Sequence, residues 1–545
     1  MKTAATLLLL LVAPALPGSA SDFRDETIYL VLTDRFADGD PSNNDIYGDE
    51  YVPGNLRYYQ GGDFRGLMDN LSHIKDMGFS AVWITPPVMQ PPGRYLNSSE
   101  TYDAAGYHGY WAWDLSRIDP HLESKGASYA DLIRKSHSRG LKLIQDVVAN
   151  HGHGGDTHPS VKWHAERGKV RGLGLEFDYY ADGKDWFNRR GPVIADLLDF
   201  NDENPATAKW LTDIYLAYQA MGVDAFRLDT VVWMGDAFWR DFTDALHAAK
   251  KDFFIFGEAW TRDDFDMLAR YSRLSEGEPM NSAMSLLDMP LSAMGTWGPM
   301  EEVFKGGDYS KADAIFAHDH KYKDPTWLVT FLDNHDKPRF NGAGGEGQGT
   351  PASEEQYFDA LNFYFTARGI PCVFYGTEVR MAGGNDPDNR RMLGAEGIKS
   401  AKTDPVYHHL KKLNAMRRSA APLRRGTQTA VSSSSDSYVF RRDYGGETAV
   451  VMLNKGSSPA LLRAGGLPSG KYRELYAGDR ARVAAGSLEA EVPAHGLRVF
   501  VKGRVKGRPW RLPGGPEYQG TLFSSLVFDP SATPIRPPAQ RKLKN

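Results

Sequence analysis

Four carboxylates stand at or just beyond the ends of short apolar runs: Asp146 in Asp-Val-Val-Ala-Asn-His, Asp229 in Phe-Arg-Leu-Asp-Thr, Glu258 in Phe-Gly-Glu-Ala-Trp and Asp336 in Leu-Asp-Asn-His-Asp. One acid in such a place is most often solvated or salt-bridged; four in the same setting suit chemistry that needs paired acids. Glycosidic cleavage is such chemistry. One carboxylic acid protonates the leaving oxygen, one carboxylate attacks carbon or activates water, and the transition state gains oxocarbenium character. A third negative group beside the sugar can stabilise that developing charge. Arg227, two residues before Asp229 and on the same strand face, can hold that carboxylate ionised by lowering its pKa. Burial beside apolar neighbours would raise the pKa of the acid. His151 and His335 are candidate donors to sugar hydroxyls, although a lone histidine is more often structural.

These acids must converge for any of this to work. Short β-branched and aromatic runs alternate with longer amphipathic stretches from residue 26 to about 420, the rhythm of βαβ units and a parallel sheet. Eight strands are predicted: Ile28 to Phe36, Ala81 to Thr85, Leu143 to Val148, Ala225 to Asp229, Phe253 to Glu258, Ser285 to Met289, Leu328 to Leu332 and Val373 to Tyr375. Helices are predicted at Phe64 to Met77, Tyr129 to Arg139 and Ala206 to Met221. Strand count and chain length favour an α/β fold of the closed (β/α)8 TIM-barrel type over a doubly wound open sheet. At the C-terminal ends of barrel strands, side chains face the mouth, so strand-end acids read as catalytic.

The barrel is predicted over residues 21–151 and 206–420. Residues 152–205, rich in Gly, His and Asp and without helical periodicity, are too long for an ordinary loop and read as an inserted small domain. Alternation over 421–502 reads as a C-terminal antiparallel β-sandwich. Residues 503–545 carry eight Lys or Arg against two acids and many prolines, a basic tail. Lys2, the run Leu7 to Val12 and Gly18-Ser19-Ala20 match a signal peptide over residues 1–20, too short for a membrane anchor, so a secreted or periplasmic location is expected. The 545 residues, 41% hydrophobic with 12% aromatic and a net charge of -5, lack the basic excess that nucleic-acid binding needs. Cys372 is the single cysteine, which excludes an intrachain disulfide, and its Ile-Pro-Cys-Val-Phe setting suggests a buried thiol.

The four acid-bearing segments, in this order, resemble the four sequence regions of the α-amylase family of glycoside hydrolases, over roughly residues 26 to 500. The resemblance implies a nucleophile at Asp229, a general acid/base at Glu258 and a transition-state stabiliser at Asp336, with Asp146, Arg227, His151 and His335 around the first bound sugar. Tyr107-His108-Gly109-Tyr110-Trp111 resembles the segment supplying a stacking tyrosine, here Tyr110, and a histidine, here His108. Gly384 to Arg390 is similar to the stretch whose aspartate and arginine grip a more distant glucose, giving Asp386 and Arg390. The implied partner is an α-glucan polysaccharide or oligosaccharide, with no nucleic acid, no membrane span and a monomeric enzyme.

Asp34 to Asn44 packs side-chain oxygens at close spacing with Gly and Pro bends, as a hard cation with 6–8 oxygen ligands requires; alone it could equally be an Asx-rich turn. It resembles the N-terminal calcium loop of cyclodextrin glucanotransferases and related amylases, which implies structural Ca2+ held by Asp38, Asp40, Asn43, Asn44 and Asp63 with a carbonyl near Gly61. A second calcium would use Asn150, Asp199 and the carbonyl of Trp233, where many relatives have histidine. Two departures favour hydrolysis over glucan transfer. Val232-Trp233 replaces the Lys-His of many relatives on the acceptor side, and Ala195 stands where the glucanotransferases hold a central aromatic. The absence of length for their further domains points the same way. The alternatives are a glucanotransferase, a maltogenic or cyclodextrin-degrading enzyme on the same barrel, or a non-catalytic accessory protein, which would be expected to lack one of the three central acids.

Overall fold

The computed structural model describes residues 22–96, 103–153, 197–260, 264–272, 284–292, 299–345, 347–476, 480–483 and 486–506. Eight parallel strands form one sheet: β1 (Ile28–Val31), β2 (Ala81–Ile84), β3 (Lys142–Val147), β4 (Ala225–Leu228), β5 (Phe254–Gly257), β6 (Ser285–Leu286), β7 (Val329–Phe331) and β8 (Ile370–Phe374). Their order is β6-β5-β4-β3-β2-β1-β8-β7. A parallel bridge between Leu287 and Val329, with Asp288 N donating to Val329 O at 2.9 Å, joins the two outer strands and closes the barrel. Residues of β1, β2, β4 and β5 are buried along their whole length. That is the demand of a sheet covered on both faces, and it explains why these strands read as unbroken apolar runs.

All eight strands lie where the sequence places them, but several are shorter. β1 stops at Val31 and not at Phe36, because Thr33–Arg35 turns in a 3-10 helix. This turn buries Arg35, whose guanidinium donates to the carbonyls of Arg390, Leu56 and Tyr58 and lies 3.7 Å over the Tyr107 ring. An extended strand would carry it away from those loops. β6 ends at Leu286, freeing Asp288 to pair with the buried Arg368. β8 begins earlier, at Ile370; Pro371 precedes Cys372, the first residue registered with β1, so its missing N–H falls outside that ladder.

The helices begin where side chains can accept their first free N–H groups. Asp63 Oδ1 accepts from Gly66 N at 2.6 Å to start Phe64–Asp76. Ser128 and Asp131 form a reciprocal capping box for Tyr129–Ser138. Asn204 caps Pro205–Ala220, with Pro205 at the first helical position.

Beyond the barrel, eight strands between Thr427 and Lys502 form a six-stranded and a two-stranded antiparallel sheet. Alternation divides the larger sheet: Val439, Val450, Met452 and Phe500 face a second core shared with Ala464, Leu488 and Val492 of the smaller sheet. Tyr438, Phe440, Val451 and Val499 pack into the barrel core instead. Cys372 is buried, as its apolar setting suggests. Among the described residues no helix is long and apolar enough to cross a membrane. The expected leader, residues 154–196 of the expected inserted segment, Ala195 among them, and most of the tail lie outside the described residues.

Candidate active site

Barrel geometry brings Asp146, Arg227, Asp229 and Glu258 to one place. β3 and β4 pair so that Asp146 lies opposite Arg227, and Asp229 and Glu258 each directly follow β4 and β5. The fully buried Arg227 guanidinium is the centre of the arrangement. Its Nη1 lies 2.7 Å from Asp229 Oδ1 and 2.9 Å from Asp146 Oδ1, while Nη2 lies 2.9 Å from Glu258 Oε1. Asp146 is further fixed by the Tyr110 hydroxyl at 2.7 Å and the Trp83 indole N–H at 3.0 Å, both donating to its Oδ2.

Asp336 enters from a turn five residues beyond β7. His335 Nε2 lies 3.2 Å from its Oδ2, and Arg390 Nη2 lies 3.4 Å from its Oδ1. The turn is clamped: the Asn389 amide donates to the carbonyls of both His335 and Lys337, at 2.8 and 2.9 Å, and Arg390 Nε donates to His335 O at 2.9 Å. Arg390 also pairs with Asp386 at 3.0 Å. The Tyr110 ring stacks on His335 with centroids 5.2 Å apart and planes 8° from parallel, and His108 stacks on Tyr110 at 5.9 Å. His151 Nε2 lies 3.1 Å from the Tyr110 carbonyl. Asp386, Arg390, His108, Tyr110, His151 and His335 therefore form one continuous wall beside Asp336.

One guanidinium does not neutralise three buried acids. Burial pushes Glu258 up to about 8, with the charges of Asp229 and Asp336 adding to the rise. Burial also carries Asp229 and Asp146 up to about 6. The sequence-based expectation that Arg227 would depress Asp229 gives only part of the balance: Arg227 does pull it down, but desolvation together with Asp146 and Asp336 wins. For Asp336, a third exposed, burial is outweighed by His335, Arg390 and Arg227, so it lies below its ordinary value. Burial lowers His335 to about 3 and His151 to about 4, so both rings are neutral near pH 7. The site thus holds one acid that keeps its proton at neutral pH, Glu258, beside three carboxyls that lose theirs.

Residues that the sequence reading missed complete this wall. Trp83 supports Asp146, Tyr107 lies between Arg35 and Arg390 with its hydroxyl 3.4 Å from Asp386 Oδ1, and Asn389 holds the Asp336 turn. Only Trp83 carried a usable signal, as a tryptophan inside a short buried strand. Thr230, directly after Asp229, takes a left-handed conformation with φ 52° and directs its N–H to Glu258 Oε2 at 3.4 Å. Trp233, at the position where many relatives have histidine, is half exposed at 50%.

The predicted metal loop contains oxygens in want of partners. The side-chain carbonyls of Asn43 and Asn44 are buried with no hydrogen-bond donor, and Asn44 Nδ2 donates to Asp38 Oδ2 at 2.8 Å. Gly61, at φ 91°, allows Asn44 to approach: a Cβ there would stand 2.5 Å from Asn44 Nδ2. Burial raises Asp63 to about 6, with Asp38 contributing; a cation would reverse that. Asp63 Oδ1 caps the helix at Gly66 N and its Oδ2 holds only a long 3.4 Å contact from Asn43 Nδ2, while Asp40 Oδ1 accepts from Ser42. Asn150, whose side-chain carbonyl is likewise buried and unpartnered, lies beside the ladder in which His151 faces Asp199. Among the described residues no group of three or more His, Cys, Asp or Glu is gathered for a metal, so Asp38, Asp40 and Asp63 do not by themselves form a cation cage and a cation here would need amide and backbone oxygens beside the carboxylates. That donor set fits a hard ion such as Ca2+.

A sequence model described as the α-amylase catalytic domain matches residues 30–419. The chain belongs to the α-amylase family. Members of this family act on glycosyl bonds. The chain is 31% identical over 498 residues to the β/α-amylase of Paenibacillus polymyxa, a match covering 88% of this chain but only 38% of that protein's length. It is 30% identical to an α-amylase of Niallia circulans, covering 86% of this chain and 89% of that one. Among crystal structures, an Anoxybacillus α-amylase superimposes with a TM-score of 0.72 at 28% identity, over 90% of this chain and 100% of that one. A cyclomaltodextrin glucanotransferase with a three-domain ABC distribution superimposes with a TM-score of 0.74 at 28% identity, over 88% and 99%. The existence of that three-domain transferase removes chain length as an argument for hydrolysis.

Proposed function

We propose that this family member is a retaining glycoside hydrolase that cleaves α-1,4-glucosidic bonds in starch, glycogen or maltodextrins. The observation that carries the reading is the contact of a single buried guanidinium with both Asp229 and Glu258, two acids whose surroundings give them different protonation states. In the first step Asp229 attacks the anomeric carbon, the glycosidic C–O bond breaks, and Glu258 gives its proton to the departing oxygen. In the second, Glu258 takes a proton from water, the water oxygen bonds the anomeric carbon, and Asp229 leaves as carboxylate. Asp336 stabilises the positive charge that develops on the ring in both steps. Asp146, whose four donor contacts from Arg227, Tyr110 and Trp83 consume its oxygens, orients the others. The wall of Tyr110, His108, His151 and His335 receives the first sugar, and Asp386 with Arg390 the next.

The second reading is glucan transfer, supported by the glucanotransferase relatives. Val232-Trp233 in place of Lys-His still favours water as acceptor.

Calcium is proposed as a structural ion at Asp38, Asp40, Asn43, Asn44, Gly61 and Asp63, and at Asn150, Asp199 and the Trp233 carbonyl; bound there, it would hold loops in place and take no part in bond cleavage.

Three outcomes are expected. Asp229→Asn and Glu258→Gln each lower reducing-sugar release from soluble starch by about a thousandfold or more with the melting temperature retained; turnover near wild type in either variant contradicts the assignment. The kcat/KM profile is bell-shaped, since Asp229 must be ionised and Glu258 protonated: activity rises through about pH 6 and falls through about pH 8. A flat profile between pH 5 and 9, a range about one unit beyond each limb, counts against those roles. Chelator lowers the melting temperature and added Ca2+ restores it, because an ion bound only by the folded chain stabilises it by mass action; an unchanged melt shows that the Asp38 to Asn44 segment is a turn and nothing more.

A further inference from the structure

A buried charged cluster lies outside the site described above. His121 stands between two carboxylates, its Nδ1 2.7 Å from Asp119 Oδ1 and its Nε2 3.0 Å from Glu50 Oε1. All three side chains are buried, and the Tyr59 ring lies flat on the imidazole with centroids 3.9 Å apart. A histidine with a carboxylate at each nitrogen must donate from both, so it carries a positive charge, which the ring face of Tyr59 also favours. Glu50 gathers its own loop by accepting from the backbone N–H groups of Tyr47 and Asp49.

From this cluster a continuous line of hydrogen bonds runs to the sugar-facing wall. Asp119 Oδ2 accepts from Gln90 N at 2.7 Å. The Gln90 side chain, 2% exposed, then grips the segment around Tyr110 on both sides: Nε2 donates to Gly109 O at 2.9 Å and Oε1 accepts from Trp111 N at 2.8 Å. Two glycines make the approach feasible. A Cβ on Gly106 would stand 2.8 Å from Gln90 Cβ, and one on Gly109, at φ 91°, would stand 2.3 Å from Pro86 O. The last link is Tyr110 itself, bonded to Asp146 and stacked on His335.

We infer that Glu50, His121, Asp119 and Gln90 form a positioning relay that sets the Tyr110 ring for sugar binding. The inference rests on the proposed function, because Tyr110 matters only if a sugar stacks there. Neither His121 nor Gln90 touches the reacting groups; they act through the 106–111 segment. The charge on His121 gives the relay a second property. His121 is raised to about 9, against burial, by Asp119 and Glu50, with Tyr59 and Tyr47 the other titratable groups facing it. A histidine whose folded pKa lies above its unfolded value of 6.5 contributes stability that is complete below about 6.5 and is lost as pH rises through about 9.

The test uses the full chain in two arms. Gln90→Met keeps the volume and removes the side-chain bonds. In a Glu258→Gln background, calorimetry should find maltoheptaose bound about tenfold more weakly with Gln90→Met added. If Glu258→Gln binds maltoheptaose and Gln90→Met leaves the affinity unchanged, the relay is overturned and the proposed function stands; if Glu258→Gln binds no maltoheptaose at all, the proposed function fails. The second arm needs no sugar. His121→Gln should melt lower than wild type at pH 6, with the deficit disappearing above about pH 9. A deficit that stays constant across that range, or none at pH 6, shows that His121 carries no charge and overturns the relay in either case.

Discussion

Everything at the mouth of this barrel depends on one cost: a guanidinium and three carboxylates have been taken out of water together. An isolated buried ion is unaffordable, and a buried pair only roughly breaks even. Arg227, with no exposed surface, touches Asp146, Asp229 and Glu258 within 2.9 Å, and it cannot satisfy all three. The unpaid remainder appears as raised pKa values, largest at Glu258, which has fewer other donors than Asp146. The arrangement that looks electrostatically strained is thus what keeps a proton on one acid and not on its neighbours.

The rest of the fold can be understood as holding that cluster still. β3, β4 and β5 are adjacent and in register, so residues 146, 227, 229 and 258 are fixed relative to each other by backbone ladders and not by loops. Asp336 is different. It stands on a turn beyond β7 and owes its place to Asn389 and Arg390, which come from the segment after β8. Asp386 and Arg390 are therefore mechanically joined to the third acid.

The barrel was readable in the sequence because buried parallel strands leave continuous apolar runs alternating with amphipathic stretches, and the acids were readable because they interrupt or follow those runs. Strand ends were less so. Val31 to Phe36 looks extended, yet Arg35 needs carbonyls from residues 56, 58 and 390, a requirement set by distant loops. Asn389, Tyr107 and Gln90 were invisible for the same reason: an amide or a tyrosine in a loop has no period, and its partner lies from about twenty to nearly three hundred residues away. The sign of the Asp229 shift was misjudged because neighbours in sequence gave Arg227, whereas Asp146 and Asp336 act only through the folded structure.

Arg227→Lys examines the central claim most directly. Lysine keeps the positive charge but presents a single point in place of a planar fork, so it cannot span Asp146, Asp229 and Glu258. Steady-state kinetics on maltoheptaose should show kcat reduced about a hundredfold or more in a protein that still folds and binds substrate. A lysine variant that turns over at the wild-type rate would mean that charge alone suffices and that the shared guanidinium does not organise the site.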